Sequence, residues 1–519
     1  MTKTLGSAMA AMYNPSASPS VELPSGVVAT APALAMNVLS VAPECYPLVK
    51  TGGLADVVGA LPLALSPLGV RMRVLMPAYP GVRKRLRKVG TVAPLPGVFG
   101  GDGALLQGTT TEGTEVLLLE APHLFDRTGG PYLGPDGRDW PDNHLRFGAL
   151  SWVAAEVSLG RLGDWRPDVV HLHDWQSALT AAYLRFGSGP HPAPPTLLTI
   201  HNLAFQGLFP LDTRKSLQLP PAAVAVDAME YWGSLSFLKA GVLWSTHLST
   251  VSPTYAREIL GPDEGMGFDG LLRTRAHELT GIVNGIDTEV WNPTTDPAVP
   301  VPYSVRRLAP RRRNTAALRA RLGLRRSDGP LFAVVSRLTH QKGLDLLLQV
   351  LPHLVGNGAQ LAVLGSGDPA LEQGFARAAA EHPGDVATVI GFDEALSHQM
   401  QAGADAVLVP SRFEPCGLTQ LYGLRYGAVP VVSRVGGLAD TVVDANESAV
   451  RDGVATGVQF SPVDAPSLAD AITRTVALFR QPQVWQAIQR RAMTRDVGWA
   501  TPAAQYRSLY DRLASANKD

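Results

Sequence analysis

The chain has 519 residues, 45% of them hydrophobic and 17% charged; this ordinary globular composition excludes a wholly disordered chain, and at ~150 residues per domain it holds about two to four domains. Lys+Arg and Asp+Glu both number 45, for a formal net charge of zero, so no basic excess serves a nucleic-acid backbone or an anionic membrane, and any bound anion is small and held by a few placed groups. No apolar run reaches the ~18 residues of a bilayer span, and the two distant cysteines, Cys45 and Cys416, make neither a disulfide framework nor a zinc site and suit a reducing, cytoplasmic compartment.

Residues 1–35 are rich in Ala, Ser, Pro and Met and contain no Arg. They lack the charged and apolar regions of a signal peptide and read as a disordered extension or an over-long start. From Met36 the pattern changes. NVLSVAPE (37–44) is an apolar run ending in a loop, followed by the Gly-rich turn and helical stretch TGGLADVVGALPLALSPLG. Further apolar runs are RMRVLMP (71–77), EVLLLE (115–120), DVVHLH (168–173), TLLTIH (196–201) and HLSTVS (247–252). After a break come PLFAVVS (330–336), AQLAVLG (359–365), ATVIG (387–391), AVLVP (406–410) and VPVVS (429–433). Short apolar runs alternating with helical stretches predict an α/β architecture with parallel sheets. Composition alone places a linker in the Pro- and Arg-rich stretch 292–314.

Residues 50–58, KTGGLADVV, are echoed by residues 434–442, RVGGLADTV. The repeat suggests two similar doubly wound halves. Each would present a Gly-Gly turn and a helix N-terminus to an anion, with Lys50 or Arg434 beside it. A plain helix entry that needs glycine for its backbone is the competing explanation.

Several runs end in polar loops, where open α/β sheets bind ligands. SRLTHQKG (336–343) sets Arg337 and Lys342 in one loop, able to converge on a diphosphate or to lie solvated at the surface. SRFEPCGLTQ (411–420) places Glu414 beside Cys416, with the Gly417-Leu418-Thr419 backbone free to donate. The carboxylate suits sugar hydroxyls, or is simply a loop acid in water. HDWQS (173–177) and IHN (200–202) carry His173, Asp174, His201 and Asn202 on strand-end loops, with a spacing that matches no metal-ligand pattern. Asn284 lies in the turn-forming VNGID. No dinucleotide fingerprint and no P-loop is present.

Through KTGGLADVVGALP, HDW, IHNLAFQG, SFLKAG, VSPTYAREI, NGID, SRLTHQKG, LGSGDP and SRFEPCGLTQLYGLRYG, the chain resembles the bacterial glycogen synthases and plant starch synthases from about residue 36 to its end. The resemblance implies the GT-B fold, two Rossmann-like doubly wound domains facing across a cleft. Its division is 1–35 as an extension, 36–280 as an N-terminal acceptor and catalytic domain, 281–495 as a nucleotide-sugar-binding domain, and 496–519 as a helix packing back on the first. The crossover then falls near residue 280, and the Pro-rich stretch moves into the second domain.

The implied activity is retaining transfer of glucose from ADP-glucose to the non-reducing end of an α-1,4-glucan, without a metal or other cofactor. By the same resemblance Lys50, with the Gly52-Gly53 turn, binds the nucleotide sugar. Arg337 and Lys342 neutralise its diphosphate, while Glu414 and the backbone from Cys416 to Thr419 hold the glucose hydroxyls. His201 sits by the anomeric carbon. Asp174, Glu44, Asp56, Asn202 and Asn284 complete the donor and acceptor surfaces, Tyr132 is an acceptor-side aromatic, and Phe392 stacks on adenine. Three positions depart from the family pattern: Gln176 for a frequent His, Val435 for Thr, and Phe392 for Tyr. Rival transferases of the sucrose-synthase type carry a second Glu eight positions after the first, where this chain has Tyr422. A catalytically silent glucan-binding protein is the rival from another class.

Overall fold

The computed structural model describes residues 36–516; the expectation for residues 1–35 lies outside that range. The first lobe contains β1 (Met36–Val41), β2 (Val70–Pro77), β3 (Arg87–Val98), β4 (Gly101–Thr109), β5 (Glu115–Glu120), β6 (Val169–His173), β7 (Thr196–Ile200), β8 (Leu208–Pro210), β9 (Glu230–Tyr231), β10 (Ser234–Ser236), β11 (His247–Thr250) and β12 (Leu279–Gly281). Nine of these form one sheet in the order β12-β11-β7-β6-β1-β2-β5-β4-β3. Every pairing in it is parallel except the two made by β4. The remaining three make a small antiparallel sheet, β8-β10-β9. The second lobe holds β13 (Leu331–Val335), β14 (Gln360–Gly365), β15 (Val386–Ile390), β16 (Ala406–Val409), β17 (Val429–Ser433) and β18 (Val458–Phe460), all parallel, in the order β15-β14-β13-β16-β17-β18.

The central strands are continuous apolar runs because helices cover both of their faces. β6 and β7 are buried at every position, as parallel strands in doubly wound sheets are. The long β3–β4 hairpin escapes an apolar-run reading. One side of it is solvated, its register shifts three times, and Pro94, Pro96, Gly97 and Gly100 read locally as turn residues. β12 and β18 are only three residues long, too short to stand out by composition.

The Pro-rich stretch is not a linker. Trp291, Val299, Tyr303 and Leu308 pack with Leu421, Leu424 and Tyr426 of the second lobe. Arg311 is buried and donates to the carbonyls of Tyr426 and Ala404. The chain crosses between lobes a little earlier: Ile282 belongs to a first-lobe cluster and Ile286 to a second-lobe cluster. It crosses back between Val497 and Trp499. The two crossings touch, with the Ile286 N–H donating to the Val497 carbonyl at 2.8 Å. A Cβ on Gly285 would lie 2.6 Å from the Gly498 backbone, so glycine is required where the two crossing segments meet.

The final helix, Ala500–Ala516, lays Ala503, Tyr506, Leu509, Tyr510 and Leu513 against Val57, Leu61 and Leu65 of the helix Gly53–Leu65. Fully burying each larger side chain contributes about 1.5–3 kcal/mol. Tyr510 also reaches under the sheet, its hydroxyl 2.8 Å from Nδ1 of the buried His171. Tyr510→Phe leaves that imidazole nitrogen without its partner, and a stability loss of about 1–3 kcal/mol is expected. Denaturant melts at neutral pH check this; an unchanged midpoint contradicts it.

Candidate active site

Strand ends of both lobes face one cleft of about 1110 Å³, larger than the ~300–1,000 Å³ of an ordinary small-molecule pocket. From the first lobe it is lined by Glu44, Gly52, Gly53, Tyr132, Asp174, Gln176, His201 and Asn202. Asn284 lies at the crossover, and Arg337, Lys342, Glu414 and Cys416 through Thr419 come from the second lobe.

On the first-lobe wall β6 ends at His173, and Asp174 opens the helix Asp174–Phe186 with φ +55. That left-handed backbone is uncommon for an aspartate. Here it turns the carboxylate toward the neighbouring strand end. Oδ1 accepts from the His201 N–H at 2.6 Å and from the Asn202 N–H at 3.4 Å. Burial pushes the Asp174 carboxyl up to about 7. The His201 ring, also desolvated, is pushed down to about 3 and is neutral at physiological pH. Its Nε2 lies 3.0 Å from Nδ1 of His173, whose Nε2 meets Ser40 Oγ at 3.0 Å.

Glu44 closes the other end of this wall. Its carboxylate accepts from the Thr51 N–H at 2.5 Å, the Thr51 hydroxyl at 2.9 Å and the Tyr132 hydroxyl at 2.8 Å. Burial raises its pKa, and those hydrogen bonds oppose the shift. The loop carrying Tyr132 is held from behind by Arg146, a buried guanidinium that donates to the carbonyls of Leu124 and Pro131 and to Asn143 Oδ1.

On the second-lobe wall two loops are laced together. The Arg412 N–H donates to the Gln341 carbonyl at 2.8 Å, and the Arg412 guanidinium pairs with both oxygens of Asp345 at 2.7 Å. Gly343 has φ +64, and a Cβ there would stand 1.9 Å from the Pro410 carbonyl, so only glycine lets the loops approach. Their closeness sets Lys342 Nζ 2.5 Å from Glu414 Oε2, which also accepts from Ser411 Oγ at 2.8 Å. Arg337 lines the same wall, but among the described residues its guanidinium makes no hydrogen bond or ion pair. Gln176, Asn284 and Gln420 also belong to the lining, but their side-chain carbonyl oxygens are buried, without a donor among the described residues. The wall thus offers one unengaged cation and a buried Lys–Glu pair, a set suited to an anionic, hydroxyl-rich ligand. Both cysteines are buried and free, and burial pushes each thiol up to about 12, so neither is a nucleophile.

Several sequence candidates stand elsewhere. Lys50 and Asp56 are outside the lining and pair with each other, Nζ to Oδ1 at 2.8 Å. Asp56 occupies the first turn of its helix, where a carboxylate is favoured, and it draws the ammonium along the helix flank. Phe392 is also outside the lining and 84% exposed. It follows β15, the edge strand of its sheet, and no neighbouring strand end carries it inward.

The anion-site expectation for the second GGLAD is corrected as well. Arg434 is exposed and outside the lining. The Gly436 N–H donates to Glu258 of the first lobe at 2.9 and 3.1 Å, so a protein carboxylate already occupies the helix entry. A Cβ at Gly436 would lie 2.0 Å from the Glu414 carbonyl, and one at Gly437 2.2 Å from that of Cys416. These glycines seat the helix beneath the Glu414–Cys416 loop. Thr254 bonds Asp440 through its N–H at 2.8 Å and its hydroxyl at 2.6 Å, and the Ser252 hydroxyl reaches the Pro415 carbonyl at 2.7 Å. The residues of this inter-lobe seam, like Ser411, Trp175 and Phe205 in the site, lie within the family motifs, but no role for any of them is legible in the sequence. Ser411 alone had a hint, lying three residues before Glu414 in the same loop.

Residues 37–274 match the family model for the starch synthase catalytic domain, and residues 319–488 that for glycosyl transferases group 1. A glycogen synthase of Rhodopseudomonas palustris strain HaA2 is 55% identical over 93% of this chain and 100% of its own length. The chain belongs to the glycogen and starch synthase family. A glycogen synthase of Roseobacter denitrificans is likewise 55% identical, over 92% of this chain and 99% of its own. The catalytic domain of starch synthase IV from Arabidopsis thaliana, solved with ADP and acarbose, superposes with a TM-score of 0.84 at 30% identity, over 92% of this chain and 99% of that one. The family assignment makes this chain a glycosyltransferase, and its two lobes are those of the GT-B fold.

Proposed function

We propose that the chain transfers glucose from ADP-glucose to the non-reducing end of an α-1,4-glucan such as glycogen, with retention, and needs no metal. The observation that carries this reading is the unengaged Arg337 beside the Lys342–Glu414 pair, facing Asp174 and His201 across one cleft. Arg337 and Lys342 take up the charge of the leaving diphosphate, Glu414 and the Cys416–Thr419 backbone orient the glucose hydroxyls, and the His201 peptide lies beside the anomeric carbon. The bond from that carbon to the phosphate oxygen breaks, the bond to the acceptor 4-oxygen forms on the same face, and the acceptor proton passes to the leaving phosphate.

Retention through a glycosyl-enzyme ester calls for a free carboxylate at the anomeric carbon. Asp174 is engaged by the His201 N–H and Glu414 by Lys342 and Ser411, which supports the same-face route. Positioning and charge stabilisation then carry the catalysis. In this reading Arg337 and Lys342 supply the cations that the diphosphate meets. The reading places the enzyme in the cytoplasm, in keeping with its two free cysteines.

The test is side-by-side incorporation of label from ADP-glucose and UDP-glucose into glycogen, with and without a chelator. Incorporation chiefly from ADP-glucose and indifferent to chelation is expected. A preference for UDP-glucose overturns the donor, chelator sensitivity overturns the metal-free route, and no incorporation from either favours a silent glucan-binding protein.

A further inference from the structure

The turn joining β9 to β10 carries the most exposed large apolar side chain of the described residues, Trp232, at 88%. Trp232 has φ +50, Gly233 follows at φ +80, and Ser234 pairs with Tyr231. This is a two-residue hairpin turn with both central residues left-handed, a geometry that favours Asn, Asp or Gly at the first position and strains a bulky residue. Exposure of an indole to water is a second unfavourable term. Turn chemistry does not explain a tryptophan here, an edge-on contact with the adjacent Tyr231 (ring centroids 6.4 Å apart) leaves the indole 88% exposed, and strained residues of this kind cluster at ligand-contact sites. The hairpin is braced from within the lobe. The Glu230 carboxylate accepts from the Gly233 N–H at 2.7 Å, and Lys239 Nζ donates to the Glu230 and Val226 carbonyls at 2.5 and 2.8 Å.

The hairpin is continuous with the cleft. Ser236, at the other end of β10, pairs with Leu208 of β8. Leu208 is 49% exposed, Phe205 is 52% exposed, and both line the cleft. At ~3.4 Å per residue Ser234 lies about 7 Å from Ser236 along β10, and the Trp232-Gly233 turn stands just beyond it, at the far end of the small sheet. Leu211 and Val226 of the same segment are exposed as well. Exposed apolar side chains thus stand at both ends of the small sheet, with the part-buried Ser234 and the buried Leu235 and Ser236 of β10 between them, and they mark a track from the cleft lining to the indole.

We propose that this track holds the part of the α-glucan acceptor that lies outside the cleft, with the Trp232 indole stacked on the apolar face of a glucose ring. The proposal rests on the transferase reading above. An acceptor longer than the cleft must pass over its rim once its end is seated. A rim with flat or apolar side chains matches the C–H faces of a neutral sugar polymer, and a rigid ring makes that contact at little entropic cost. Trp232 is thus a chain-length-sensing contact, remote from the reacting atoms.

Two readouts test it. Electrophoresis through gels containing glycogen reads glucan binding without catalysis, and kinetics with maltotriose and with glycogen read acceptor use. Trp232→Asn suits the turn and removes the ring. It is expected to weaken retardation in the gel and to raise the half-saturating glycogen concentration about fivefold to tenfold. Constants for maltotriose should stay unchanged, the melting temperature should be equal or higher, and Trp232→Phe should recover most of the binding. Undiminished retardation of Trp232→Asn overturns the proposal and leaves the indole to a protein partner. An equal loss with maltotriose overturns it as well. If the wild-type protein transfers no glucose yet is retarded, and Trp232→Asn weakens that retardation, the transferase reading falls while the glucan track stands. If it transfers glucose but Trp232→Asn binds glycogen as strongly, the track alone falls.

Discussion

Arg337→Ala is expected to lower kcat about 10²–10³-fold, the range for removing one preorganised charge-stabilising donor, with an unchanged melting temperature. The guanidinium lines the cleft and has no partner among the described residues, so its removal strands nothing in the fold. Lys342→Ala is expected to show a comparable loss of kcat together with a clear loss of stability. The reason is Glu414, which is buried and held by Lys342 Nζ at 2.5 Å. Deleting one partner of a buried pair leaves the other charge uncompensated, at about 3–5 kcal/mol in fully buried cases. Ser411 Oγ and the partial exposure of Lys342 reduce that cost. Parallel steady-state kinetics and thermal melts separate the two variants. An unchanged kcat in Arg337→Ala removes the diphosphate role, and equal melts for both variants remove the argument from Glu414.

Asp174→Ala should lower kcat about 100-fold, the penalty for a misplacement of roughly 1 Å near the chemistry. Its Oδ1 orients the peptide of His201 by accepting that N–H, and alanine leaves the peptide free to rotate. Asp174→Asn keeps an oxygen in the same place and should retain most of the rate. The pH dependence of stability gives an independent check. The carboxyl titrates at about 7 in the fold against an ordinary 3.8, so the native state holds its proton longer than the unfolded chain. The resulting penalty is absent below about pH 4, grows as pH rises toward 7, and is complete above it. Asp174→Asn lacks that group and should therefore gain melting temperature over the wild type at pH 8 and little at pH 4. A constant difference across that range contradicts the burial argument, and a fully active Asp174→Ala contradicts the positioning role.

The legible features of this chain were those that local chemistry dictates. Continuous apolar runs such as TLLTI could only be strands covered on both faces, and polar residues directly after them had to fall at strand ends, where a doubly wound sheet opens its site. That reasoning reached Asp174, His201, Arg337, Lys342 and Glu414, all of which line the cleft. It stopped where identity depends on what approaches from a distance. The two GGLAD copies look alike over a few residues, yet one turn faces the cleft while the other is filled by Glu258 and pressed under Glu414. Lys50 found Asp56, and the Pro-rich stretch found a core to bury Tyr303.

The amino-acid sequence by itself determined the strand runs, the two-lobe plan and the residue types at the strand ends, because burial period and turn chemistry act over a few residues. Tertiary structure alone decided which charges are matched inside the protein and which are left for a ligand. Coulombic and hydrogen-bond partners are set by distances between side chains as far apart in the chain as Lys342 and Glu414, or Glu258 and Gly436, and only the packed lobes bring those distances down to a few ångströms.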